Sequence, residues 1–331
     1  MISHIYIPSH GRPYRQPTVE ALQAAGVQNF SVVVNDLDEA ASYASSGLVP
    51  HDHILVSNTK GIGPARKWIH DQVPMGSWYL QLDDNLERLT AVTDEYYDLA
   101  KLDVPVWDKP VWKTKAQGEL NPEQRRTLMN HFATIYDAPV NATQFLELLD
   151  DTIAECERRG VHLAGLATTN NPLFRHRKFN SGFVIGKCML IHKEPLCHWN
   201  TNCVMKEDYQ FTAEHLLHYG ATLRNHYLRG VSQWYQPGGC GPYEQRTELY
   251  RAASQFLMET YPGLFRYSSK THSPEGTEVR IISANAIAKW RASHHRTIAD
   301  SVVPQVAAAE DRSTQEHEVI VAEEHVSMTS K

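Results

Sequence analysis

Short apolar runs alternate with amphipathic segments along the first 85 residues. His4-Ile5-Tyr6-Ile7-Pro8 has the pattern of a buried strand, closed by the turn Ser9-His10-Gly11-Arg12-Pro13. A helix is predicted from Thr18, whose hydroxyl is placed to cap it. Glu20 lies in its first turn, Val19, Leu22 and Ala25 form its apolar stripe, and Gly26 ends it. Ser31 to Asn35 (SVVVN) reads as a second strand, Asp36, Asp38 and Glu39 open a short helix through Tyr43, and His53 to Val56 is a third strand. Gly61 and Gly63, followed by Pro64 at a first helical position, predict a loop opening a helix that ends near Gln72. The fourth strand lies in Gly76 to Asn85 (GSWYLQLDDN), apolar enough for burial on both faces until it breaks into Asp83-Asp84-Asn85. Strand and helix in strict alternation predict an α/β fold with a right-handed, mainly parallel sheet.

Beyond Leu86 the pattern is less regular. Glu95 to Trp112, with Tyr96, Tyr97, Trp107 and Trp112, suits an insertion packed over the sheet, and Asn121-Pro122 opens a helix. Another helix starts at Asn141 or Thr143, where Phe145, Leu148, Leu149, Ile153 and Cys156 recur at helical spacing. Val161 to Ala167 reads as a strand, Thr168 to Pro172 as a polar loop, and Gly182 to Ile191 as a strand pair or a strand bent at Gly186. Tyr209 to Tyr219 is helical, Thr222 to Val231 a strand, Gln236 to Gly241 a glycine-rich loop, Arg246 to Met258 a helix and Glu278 to Ile282 a strand. From about Asp300 periodicity is lost in favour of Glu, Ser, Thr and Ala, the composition of a mobile tail. The expected organisation is one domain over 1–298, with halves at 1–90 and 161–298 around a helical insert at 91–160, and a disordered tail at 299–331.

Composition narrows the function classes. With 42% hydrophobic and 21% charged residues, the 331-residue chain can bury a large core. The opening MISHIYIPSHGRP has no charged segment leading into a long apolar one, and nowhere is there an apolar run of the roughly 20 residues that span a bilayer. The expected location is the cytoplasm. Cys156, Cys188, Cys197, Cys203 and Cys240 form no C-x-x-C pair, which argues against a zinc ribbon and a disulfide framework. A net charge of -6 gives no global footprint for nucleic acid, so any contact with DNA falls to local patches.

Four places carry candidate chemistry. Asp83 and Asn85, two apart on an extended chain, point the same way and can share one hard divalent cation beyond the carboxyl end of a strand. A strand running into an Asp/Asn turn accounts for the tripeptide as well, and is its commoner meaning. Lys60 and Arg66 flank a predicted helix start whose free N–H groups favour an anion; a surface loop with incidental cations is an equal reading. Glu207 and Asp208 begin a helix whose dipole they complement, and the same dipole keeps a carboxylate ionised, as a general base requires. Arg175-His176-Arg177-Lys178 is the most basic run, a solvated turn or a contact for DNA phosphates, in company with Arg224 and Arg229.

In order, IPSHGRPY, SVVVND, NTKGIGPARKWI and WYLQLDDN resemble the nucleotide-sugar half of a GT-A glycosyltransferase. The similarity is to the phage glycosyltransferases encoded beside Tet/JBP-like DNA dioxygenases, which decorate 5-hydroxymethylpyrimidines. It spans about the first 90 residues and recurs around Lys206 to Gly241. The resemblance implies a GT-A-like Rossmann-type sheet, a UDP-sugar donor, Mn²⁺ or Mg²⁺, and double-stranded DNA with a hydroxymethylated pyrimidine as acceptor. It implies donor contacts at Pro8, Ser9, His10, Gly11, Arg12, Asn35, Lys60, Gly61, Arg66, Asp83 and Asp84, and a metal held by Asp83, Asn85 and His226. Asp208 takes the base role with Glu207 as its alternate, and Arg175, Arg177, Lys178, Arg224, Gly238 and Gly239 meet the acceptor. Asp83-Asp84-Asn85 stands where many relatives carry D-x-D, leaving open which of the three touches the metal. Two other readings remain: a GT-A enzyme with a non-DNA acceptor, and a sugar-nucleotide-binding module without catalysis.

Overall fold

A computed structural model describes residues 2–91, 138–166, 179–232, 243–268, 276–282 and 286–293. The strands β1 (Ile5–Pro8), β2 (Phe30–Val34), β3 (Ile54–Val56) and β4 (Trp78–Leu82) are joined by helices α1 (Pro17–Ala24), α2 (Leu37–Ser46) and α3 (Ile62–Gln72). They lie parallel in the order β3-β2-β1-β4, as their alternation with helices requires. The sheet continues through β9 (Cys188–His192), antiparallel to β4, then β7 (Leu163–Leu166), β10 (Leu223–Asn225) and β8 (Phe179–Asn180). The result is an eight-stranded mixed sheet, the α/β, GT-A-like arrangement expected.

Alternation along the strands divides the core in two. Ile5, Ile7, Val32, Val34, Leu80 and Leu82 share one buried cluster with Val19 and Leu22 of α1 and with Phe145, Leu149 and Ile153 of α4 (Ala142–Arg159). Val33, Tyr79, Met189 and Ile191 share the other with Ile69 of α3 and Phe211 of α5 (Glu207–Tyr219). Full burial of each such side chain contributes about 1.5–3 kcal/mol, so both layers hold the sheet. Asn141 caps α4 in a reciprocal box with Gln144, and Gly160 closes it in the left-handed region at φ 63°.

Several expectations need correction. Thr18 does not cap α1, which begins at Pro17; its hydroxyl donates to the Asp83 carbonyl at 2.6 Å and accepts from the Leu86 amide at 2.8 Å. Helix α3 starts at Ile62, with Pro64 in its first turn rather than at its first position. Residues 181–187 are not strand: the chain turns at Gly186 and Lys187, beside the buried Arg66 side chain, before β9 begins. Thr222 to Val231 is two strands in different sheets: β10 stays in the large sheet, whereas β11 (Leu228–Ser232) pairs with β5 (Leu86–Ala91). β5 escaped the periodicity reading; with β6 (Ala138–Pro139) it completes a small antiparallel sheet. The predicted insertion at 95–112, the helix at Asn121, the loops at 168–172 and 236–241 and the tail lie outside the described residues.

Helix α6 (Tyr243–Thr260) adjoins a two-stranded sheet of β12 (Phe265–Tyr267) and β13 (Val279–Ile281), tied to it by the Ser254 hydroxyl donating to the Thr277 carbonyl. These elements belong to a compact unit over Met1–Ala284; a second unit, Asn285–Lys331, contributes a described helix at 286–293. Among the described residues no helix is long and apolar enough to cross a membrane.

Candidate active site

The ends of β1 to β4 all open at one edge of the sheet, so Pro8 to Arg12, Asn35, Lys60, Gly61 and Asp83 to Asn85 gather there, where α/β sheets receive ligands. Four loops thereby form one rim. Asn35 Nδ2 lies 2.8 Å from His10 Nδ1, and Glu39 of α2 binds both strand ends. Its carboxylate accepts from the Gly11 amide at 2.6 Å and the Asn35 amide at 2.9 Å, and meets His10 Nδ1 at 3.0 Å. Glu39 and Tyr43 were legible only as helix residues, because their role depends on α2 lying across two loops.

Just past the end of β4, in the turn, the two aspartates point to opposite sides. Asp84 enters the α1 and α2 side: Ser9 Oγ donates to it at 2.7 Å and Arg12 forms a short ion pair with it. The Arg12 amide donates to Tyr43 Oη at 3.1 Å, which leaves that hydroxyl to donate to Ser9 Oγ at 2.7 Å. Burial pushes the Tyr43 phenol up to about 12 and Asp84 above its ordinary range, the latter opposed by Arg12. Both oxygens of Asp84 are thus committed within the protein.

Asp83 faces the other side, in register with Tyr79 and Gln81 and toward α3. There Arg66, Ile69 and His70 share the inward stripe of the helix. Arg66 is 1% exposed and spends its guanidinium on four acceptors. Nη1 donates to Gln81 Oε1 at 3.0 Å, Nη2 to Asp83 Oδ1 at 2.7 Å and to the Gly186 carbonyl at 2.8 Å, and Nε to Glu207 Oε1 at 3.1 Å. The Gly186 amide in turn donates to Asp208 Oδ2 at 2.9 Å. The strand tip and the start of α5, 141 residues from Arg66, converge on this side chain. Gly63, in the first turn of α3, packs against the start of α5, where a Cβ would make ordinary contact with Glu207 Cβ at 3.7 Å.

The electrostatics differ from what a helix N-terminus alone predicts. Burial, reinforced by Asp208, pushes Glu207 up to about 7, and burial likewise raises Asp208 against the pull of the Gly186 amide and Arg66. Desolvation here outweighs the dipole. For Arg66 burial works against the charge, but Asp83, Glu207 and Asp208 together outweigh it and hold the guanidinium charged.

Lys206, which precedes the pair, adopts the left-handed region at φ 60° and ψ 31°, uncommon for a residue with a side chain. Its ammonium is buried 5.0 Å from the Tyr209 ring centroid and 5.1 Å from that of Tyr250, with Glu278 3.6 Å away.

Asp83, Asp84 and Asn85 form a turn between β4 and β5, so the extended geometry that aligned Asp83 with Asn85 does not apply. They do carry oxygen donors of the kind a hard cation takes. Asn85 Oδ1 is buried with no hydrogen-bond partner among the described residues, and Asp83 Oδ2 carries none there either. His226 is buried in the turn between β10 and β11, at the same sheet edge. Arg224 lies on β10 with Nε donating to Asn180 Oδ1 at 3.2 Å, half-buried against Gly182. Arg175, Arg177, Lys178, Gly238 and Gly239 lie outside the described residues.

Residues 3–102 match the family model described as TET-Associated Glycosyltransferase. The protein is a glycosyltransferase. No curated protein and no solved structure matches the chain. The matched stretch holds β1 to β4 and every donor-side candidate; the second acidic pair of this glycosyltransferase lies beyond it and reaches the strand tip through Arg66.

Proposed function

We propose that this glycosyltransferase moves a sugar from a nucleotide-sugar, a UDP-sugar, to the hydroxyl of a 5-hydroxymethylpyrimidine in DNA, with Mn²⁺ or Mg²⁺. The observation that supports the reading is the convergence of Asp83, Glu207 and Asp208 on Arg66, which brings the oxygen donors of the strand tip next to the carboxylates that open α5. A divalent ion held by Asp83 and Asn85, with His226, would offset the charge that grows on the departing diphosphate. The start of α3 with Lys60 and the loop Pro8 to Arg12 would orient the donor. As the bond from the sugar carbon to the diphosphate breaks, the acceptor oxygen bonds to that carbon and loses its proton to Asp208. Burial has already raised the basicity of this carboxylate toward working pH. Glu207, held by Arg66 Nε, positions the cluster.

An acceptor base in a duplex presents its hydroxymethyl group in the major groove, and entry to a closed site requires flipping it out. Arg224 stands beside β8, and with the basic run Arg175 to Lys178, which precedes β8 in sequence, it would meet the DNA phosphates.

The test is mass spectrometry of hydroxymethylated DNA incubated with a panel of nucleotide-sugars and Mn²⁺. The expected result is a hexose or pentose mass added to the base, lost in Asp208→Asn. Transfer only to small-molecule or protein acceptors would overturn the DNA assignment, and donor binding without turnover the catalytic one.

A further inference from the structure

At the edge of the sheet opposite Asp83, three potential ligands meet. His162 immediately precedes β7, His192 ends β9, and Glu194 lies in the turn that follows. His162 Nδ1 is 3.0 Å from His192 Nδ1 and 3.4 Å from Glu194 Oε1, and His192 Nδ1 is 2.6 Å from the same oxygen. A point about 2.0–2.1 Å from all three atoms, the length of zinc bonds to imidazole and carboxylate, lies just off the plane they define. With side chains 19–24% exposed, the cluster is accessible to water as a fourth ligand.

The hydrogen bonding supplies a second, independent argument. His192 Nε2 lies 2.8 Å from the Gly76 carbonyl, which can only accept, so that nitrogen carries the hydrogen. In the neutral ring Nδ1 then presents a lone pair, yet it faces the acceptor-only Glu194 carboxylate at 2.6 Å. Either a proton or a metal ion between them satisfies that pair, but only a metal ion also takes in His162 Nδ1, 3.0 Å from His192 Nδ1. A carbonyl-oriented histidine backing a carboxylate is also how metal-ligating imidazoles are fixed in tautomer and direction.

We infer that His162, His192 and Glu194 form a zinc site remote from the transfer centre, a clamp joining β7, β9 and the turn at Gly76. Its ligands are borderline nitrogen and oxygen donors suited to zinc, unlike the all-oxygen pair at the strand tip.

The test uses the full chain, stripped by chelator and titrated with zinc against a chromophoric zinc indicator, beside His192→Gln, Glu194→Gln and Asp83→Asn. The wild type is expected to bind one more zinc per chain than His192→Gln, and Asp83→Asn one more than the double variant Asp83→Asn with His192→Gln. Glu194→Gln should weaken that zinc by at least the roughly 100-fold that loss of a supporting partner can bring. Zinc should raise the melting temperature of the wild type but not of His192→Gln, whose metal-free melt reports its folding. Equal zinc counts in wild type and both site variants would overturn the proposal and leave a proton-bridged His–Glu cluster. If His192→Gln fails to fold, Glu194→Gln decides alone by the same count.

Discussion

Arg66 is the residue through which both halves of the site communicate. Its flat fork reaches Gln81, Asp83, Gly186 and Glu207 at once, whereas a lysine ammonium is a point donor that cannot span them. Arg66→Met leaves carboxylates buried without a counter-charge, and equilibrium unfolding in urea should show a loss of about 3–5 kcal/mol. Arg66→Lys should keep more stability than Arg66→Met yet lose most turnover; wild-type turnover in the lysine variant would sink the clamp argument. Glu207 makes a second prediction at this scale. Its value rises from 4.5 unfolded to about 7 folded, so the folded state binds the proton more tightly and stability falls as pH climbs between those values. Melting temperatures of Glu207→Gln and wild type should therefore diverge in favour of the variant from pH 5 to pH 8, and a constant gap would count against it.

At the scale of elements, what decides the site is how β4, α3 and the loop before β9 touch. A Cβ on Gly186 would stand 2.9 Å from Arg66 Nη2, so Gly186→Ala should cost about 1–3 kcal/mol in overpacking and displace the guanidinium. Activity should fall further than Gly→Ala at the exposed Gly76 causes, a comparison steady-state kinetics can make. The strands and helices up to Leu82 were legible because each carries its own period of two or 3.6 and its own stop signal. Thr18 was misread because a threonine near a helix start has two uses, and only the nearby turn at Asp83 decides between them. β10 and β11 were read as one strand because nothing in LRNHYLRGV signals that the chain changes sheets at His226. β5 was missed because its partner β11 is over 130 residues away, and pairing at that range leaves no local mark.

Across the whole molecule, the sheet sets acidic and basic chemistry at one edge and the histidine cluster at the other. The acidic tip and the Glu207-Asp208 pair are legible as candidates for one cleft with the Gly-Pro loop at its rim, and they do meet; what the sequence does not disclose is that Arg66 joins them from within, because a buried arginine reads as a surface cation. The DNA reading carries a prediction at this scale. Charge reversal of Arg175 and Arg177 should lower transfer to DNA and flatten its salt dependence while sparing hydrolysis of the donor. Equal loss of both activities, measured side by side, would detach the basic run from the acceptor.

The left-handed backbone at Lys206 has a bearing on how this enzyme tolerates change. A side-chain-bearing residue held there costs of order 1–3 kcal/mol, and it is the hinge from which Glu207 and Asp208 are aimed inward. Glycine at 206 would relax that backbone but give up the ammonium lodged between Tyr209 and Tyr250. A library screened for heat resistance alone should accept Gly or Asn at this position, and the same library screened for sugar transfer should discard them.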